Sequence, residues 1–152
     1  MIIIKPHHFV DIIRTLGDVQ GEFRPHPYGH DVHAVAAKVL ADRDVMLQME
    51  LGADDICRPC IHNIDGVCDD TIDTSFRPLA PRSKQAWNLL IDQRWCDALG
   101  LAGGDRLTAS QFCERLRQNL GQMEDIYREV PPERVAARAE AIRRGIEEYV
   151  GR

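Results

Sequence analysis

The sequence predicts a mostly α fold with a small two-stranded parallel β element, an α+β arrangement closed by a C-terminal helical hairpin or bundle. From Ser83 onward, apolar residues recur at helical spacing with only short breaks. Val45, Leu47, Met49 and Leu51 alternate with Met46, Gln48 and Glu50, the period of a strand with one buried face. Met1-Ile2-Ile3-Ile4 is a second short apolar run, halted by Pro6, which has no N–H to give to a ladder. About forty residues separate the two runs, enough for a helical crossover, and crossovers join parallel strands.

The elements follow in order. Phe9, Ile12, Ile13 and Leu16 mark a helix over 7–16, ended by Gly17. Residues 18–29 carry glycines, prolines and charges without periodicity and read as an exposed loop. A second helix spans about 31–41 and buries Val32, Val35, Ala36, Val39 and Leu40. The strand over 45–51 comes next, then a cysteine-bearing segment and a proline-containing connection from Thr71 to Arg82. Ser83 caps a helix that ends at Gly100, and Leu101-Ala102-Gly103-Gly104-Asp105 reads as a linker. Thr108 and Gln111 form a capping box for a helix burying Phe112, Leu116, Leu120 and Met123. After the break at Pro131-Pro132, Val135, Ala139, Ile142, Ile146 and Tyr149 form the stripe of a last helix.

With 152 residues, 44% of them hydrophobic, the whole chain is expected to form one domain, residues 1–152, with a genuine core. The net charge of −5 opposes a phosphate backbone and argues against nucleic-acid binding. The nearest basic patch, Arg134, Arg138, Arg143 and Arg144, is interleaved with Glu133, Glu140, Glu147 and Glu148 and reads as a salt-bridged face. No apolar run reaches the ~20 residues of a membrane span, and the apolar start is too short for a signal peptide. No membrane partner is expected, and a cytoplasmic location is.

The chemistry concentrates at Cys57-Arg58-Pro59-Cys60-Ile61-His62-Asn63-Ile64-Asp65-Gly66-Val67-Cys68. Cys-x-x-Cys curls two thiolates toward one ion, and Asp65-Gly66 forms a tight turn that returns Cys68 beside them. Deprotonated, such a cluster repels itself unless a cation neutralises it. Residues 1–70 therefore form a metal-binding part and 83–150 a helical part. Buried core thiols or a Cys57–Cys60 redox disulfide are the competing readings, and the polar, turn-rich loop is a poor core.

Three cysteines leave the set one ligand short. The candidates are His62 within the motif, His7, His8, His30, His33, Cys96 and Cys113. If the strands are parallel, Pro6-His7-His8 and the cysteine loop leave the sheet at the same edge, which favours His8 or His7. Cys113 beside Phe112 and Leu116 reads as core, and Cys96 stays ambiguous. Between His26 and His33 lies an imidazole-rich stretch in which His30 and His33 share a helix face, a possible acid–base group of a metalloenzyme. Asp54-Asp55 reads as a solvated turn, with outer-shell hydrogen bonding to a metal site as the alternative.

Lys5-Pro6-His7-His8, taken with Cys57-Arg58-Pro59-Cys60 and Cys68, resembles a small bacterial and archaeal domain family of unknown function. Its members open with a similar basic-Pro-His-His segment and have been described as candidate iron–sulfur proteins. The resemblance covers residues 1–70 and implies that His7 or His8 belongs with the cysteines. In that family a further cysteine follows the third closely, whereas Asp69-Asp70 follow Cys68 here. That departure turns the expectation from four cysteines to Cys3His or to a cluster with a non-cysteine fourth position. The leading expectation is a metal-binding protein with an iron–sulfur cluster, serving electron transfer or sensing with a redox partner. A structural zinc module that contacts another protein is the first alternative. A metalloenzyme drawing on the His26–His33 segment is the second.

Overall fold

The structure, a computed structural model, describes residues 1–151. Strand β1 (Ile2–Ile4) runs directly into helix α1 (Pro6–Gly17), with Pro6 in the first turn, where its missing N–H costs nothing. Phe9, Val10, Ile12 and Ile13 are buried on α1. Helix α2 (Val32–Ala41) buries Val35, Ala36 and Val39. Leu40, expected in the core, is 40% exposed. It sits one residue past Val39, and a rotation of roughly 100° per residue carries it off the buried stripe.

Strand β2 (Met46–Met49) pairs in parallel with β1, Ile2 opposite Leu47 and Ile4 opposite Met49. Leu47 and Met49 are fully buried, whereas Val45 and Leu51 flank the strand half-buried. Strands β3 (Asn63–Ile64) and β4 (Val67–Cys68) form a separate antiparallel hairpin in the cysteine loop. Its turn places Asp65 at φ 52° and Gly66 at φ 88°, the left-handed pair that Asp-Gly supplies to a tight hairpin.

Helix α3 (Lys84–Leu99) is capped by the Ser83 hydroxyl, which accepts from the Ala86 N–H, and ends on Gly100 at φ 66°. The segment after it is more than a linker. Strand β5 (Arg106–Thr108) turns back and pairs antiparallel with β2, so the sheet has three strands, ordered β1-β2-β5, where two were expected. Three residues with Leu107 as the lone apolar one show no periodicity, which hid this strand. Helix α4 (Ala109–Asn119) carries the expected capping box. It was expected to continue through Met123 but passes at Leu120–Gln122 into a 3-10 turn and then into the short α5 (Met123–Ile126). Asn119 and Gly121 are weak helix formers, and the Asn119 amide donates back to the Arg115 carbonyl. Met123 is buried all the same.

Helix α6 (Pro132–Val150) buries Val135, Ile142, Ile146 and Tyr149 and packs chiefly on α1. A Cβ at Gly145 would lie 1.8 Å from the Ile13 carbonyl oxygen, and one at Gly17 1.9 Å from that of Ala141. The two helices therefore cross backbone to backbone. The Tyr149 hydroxyl donates to the Val39 carbonyl and ties α6 to α2. A bidentate pair, Arg94 with Glu129 at 2.6 and 2.9 Å, fastens α3 to the chain beyond α5. No helix among the described residues is long and apolar enough to cross a membrane.

Candidate metal centre

Parallel pairing of β1 and β2 brings the segments that follow them to one edge of the sheet. Asp54, in the second of these segments, is fully buried and organises both. Its Oδ2 accepts from the Lys5 N–H at 2.7 Å and sits 2.7 Å from His8 Nδ1. Its Oδ1 accepts from the N–H groups of Ile56 and Cys57 at 3.1 and 2.9 Å. One carboxylate thus fixes the first turn of α1, the His8 ring and the start of the cysteine loop. The solvated-turn expectation for Asp54 is corrected by its burial, while Asp55 receives the Ile3 N–H and pairs with Arg58.

His8, Asp54 and Cys57 have potential ligand atoms within 4.8 Å of one another, a group able to hold a metal ion. Cys60 and Cys68 are half-buried and border the same two cavities as Cys57. The smaller cavity, about 30 Å³, touches all three thiols and Lys5 and has room for one water-sized occupant. The Cys60 N–H donates to the Cys57 carbonyl at 2.9 Å, the local curl expected of Cys-x-x-Cys. The Cys68 N–H donates to Gln85 Oε1 on α3. The three sulfurs do not all lie within 4.8 Å of one another. All five cysteines are free thiols.

Two more imidazoles border the larger cavity, each held by a carboxylate. His7 Nδ1 is 2.9 Å from both oxygens of Asp92, which is fully buried on α3 and also accepts the His7 N–H. His62 Nδ1 is 2.7 Å from Asp69. In all three pairs Nδ1 is occupied, leaving Nε2 as the nitrogen open to another partner. The rings of His7 and His8 are 4.3 Å apart, so two charges there repel. Burial works against the charged form of both. At His7 the Asp92 charge and hydrogen bond prevail and raise its pKa; at His8 burial and the neighbouring His7 outweigh Asp54 and lower it. The proton therefore stays on His7 to higher pH than on His8. Asp54 is buried, which alone would raise its pKa, yet His8 and the backbone N–H groups hold it ionised well below the usual carboxylate range. Burial, with the Asp54 charge beside it, pushes the Cys57 thiol up to about 11, so a cation must displace its proton.

The remaining sequence candidates divide. His30 borders the larger cavity, while His26 is exposed and stacks on His30 with ring centroids 4.4 Å apart. Nδ1 of His30 and of His33 is buried without a hydrogen-bond partner. The loop before α2 is mostly exposed, as expected, yet Tyr28 accepts the Ile61 N–H and sets its ring 4.4 Å from His62. Cys96 and Cys113 border neither cavity, and burial raises their thiols to about 11 and about 12. Asp92 escaped the sequence reading. Its signal was a carboxylate beside Ile91 and one turn before Trp95 and Cys96, on the apolar stripe of α3. Comparison with protein-family models, curated proteins and solved structures returns no match.

Proposed function

We propose that the chain binds a metal centre through Cys57, Cys60, Cys68 and His8, and that the centre is an iron–sulfur cluster serving electron transfer or sensing. The observation that carries this reading is the His8–Asp54 pair beside Cys57. Asp54 already serves four N–H groups, so it is better suited to orient the His8 ring than to ligate. His8 then offers Nε2, and His7 stands beside it as the ring that keeps its proton.

The resemblance of the two motifs to the family of candidate iron–sulfur proteins supports a cluster over one zinc ion. The structural zinc module remains the competing Cys3His reading. The metalloenzyme reading is favoured by a different observation: the larger cavity, about 340 Å³, opens on the proposed centre. There the acid–base groups at hand are His7 and His30, with His26 and His33 outside the lining.

The test is the ultraviolet–visible spectrum of protein purified without oxygen, with iron, zinc and sulfide assayed on the same sample. Absorption near ~400 nm with acid-labile sulfide is expected, together with loss of most metal in Cys60→Ser. A colourless protein with about one zinc per chain would replace the cluster by the zinc site. Metal content unchanged in Cys60→Ser would end the cysteine reading altogether.

A further inference from the structure

We infer that the larger cavity is a binding site for a small doubly charged oxyanion, a phosphate ester or a dicarboxylate, held by Lys5, Arg77 and Arg138. The inference does not rest on the metal. It rests on charge placed against the trend of the molecule. The chain carries a net −5, yet five cations, Lys5, Arg14, Arg77, Lys84 and Arg138, border this cavity against one carboxylate, Asp11, and the three cysteines of the loop. A cleft with one sign of charge and low-dielectric walls concentrates ligands of the opposite sign.

The cations are also poorly answered. Lys5 is only 2% exposed, and its ammonium has no hydrogen bond or ion pair among the described residues. The ammonium borders the open cavity, where solvent answers its charge in the free protein, and an anion there would replace that solvent with a charged partner. Lys84 has Asp70 at 3.5 Å. Arg14 and Arg138 share Asp11 at 3.8 Å, too far for a hydrogen bond. Arg77 makes no close ion pair among the described residues, although the Asp73 charge lies near enough to favour its charged form. Its Nε donates to the Asp73 carbonyl, and its guanidinium lies 4.7 and 5.1 Å from the ring centres of Phe76 and Trp87. Arg138 likewise lies 4.6 Å over Tyr127. Those aromatic rests hold both forks in place, and Arg138 also hydrogen-bonds the Tyr127 hydroxyl, so each fork is positioned at the cavity with N–H groups to spare. Burial and the nearby Arg138 charge disfavour the charged form of Arg77, a repulsion that a shared anion relieves.

The basic stretch read from the sequence as a salt-bridged face divides in two. Arg143 pairs with Glu140 and Glu147, and Arg144 pairs with Glu140. Arg134 and Arg138 lie against Phe76 and Tyr127, with Asp11 3.8 Å from Arg138. The cavity, at about 340 Å³, has the size of a small-metabolite site.

The experiment is isothermal titration of the full chain, metal-free and metal-loaded, with inorganic phosphate and with succinate, using succinamide as the uncharged control. We expect saturable binding of at least one anion to both forms, none of succinamide, and a dissociation constant raised at least about tenfold by Arg77→Met or Arg138→Met. Which anion binds more tightly distinguishes phosphate from dicarboxylate chemistry. Thermal melts of the same samples show that each variant is folded, and Arg143→Ala, on the outer face, leaves binding unchanged. No saturable binding of either anion overturns the inference and leaves the metal reading intact. Binding that Arg143→Ala weakens as much as Arg77→Met is a diffuse surface effect and overturns it too. So does binding confined to the metal-loaded form and indifferent to Arg77 and Arg138, because the anion would then be a metal ligand. Anion binding by a chain that holds no metal would uphold this site and remove the centre proposed above.

Discussion

The α1–α6 crossing and the cysteine loop are built on opposite principles. At the crossing the backbones meet through Gly17 and Gly145, and the surroundings are buried Ile12, Ile13, Ile142 and Ile146. Close packing of apolar groups holds it, and nothing there needs a ligand. In the loop, Ile61, Ile64 and Val67 are each more than half exposed. The loop is held by hydrogen bonds that converge on a few groups, above all Asp54, and its thiols border two cavities. One region is stable by what it excludes. The other is organised around what it can receive.

The largest effect that would break this contrast belongs to the crossing. Gly145→Val should cost more than about 5 kcal/mol, enough to unfold the chain, because the Ile13 carbonyl cannot yield without parting the helices. A folded variant with a normal melting temperature would show that the crossing is loose. Next comes Asp54→Ala. It strands four N–H donors in a buried site and should cost about 3–5 kcal/mol in metal-free protein, read by urea denaturation. A loss below about 1 kcal/mol would mean that the loop needs no organiser.

The smallest effect sharpens the comparison on the helical side. The Arg94 hydrogen bonds, with its charge, overcome partial burial and lower the Glu129 pKa. A depressed carboxylate contributes stability that is present above its unfolded value, about 4.5, and lost as pH falls through the folded value. Glu129→Gln should therefore be less stable than the parent by about 1 kcal/mol at neutral pH. The gap should close as pH falls below that window. A gap that stays constant with pH would assign the effect to packing.

Much of this was legible from residues that act locally. The parallel pairing followed from two apolar runs and the length between them. The Thr108–Gln111 box, the Ser83 cap and the Asp65-Gly66 turn each need only a few neighbouring residues. Their chemistry fixes the geometry wherever they stand. What stayed hidden depends on partners far along the chain. Asp54 and Asp92 look like ordinary carboxylates until the fold brings them against His8 and His7. Strand β5 exists because β2 offers an open edge, and three residues cannot advertise that. Arg77 and Arg138 enter one cavity from a loop and a helix that no sequence pattern links.

The parallel strands also set an order of events. The three thiols lie within one twelve-residue stretch, and a hairpin of that size closes in about 1–10 μs. His8 reaches Asp54 across 46 residues of chain, after α1 and α2 have passed between the strands. The cysteine loop can therefore curl without the crossover, whereas the His8–Asp54 contact waits until both strands are side by side.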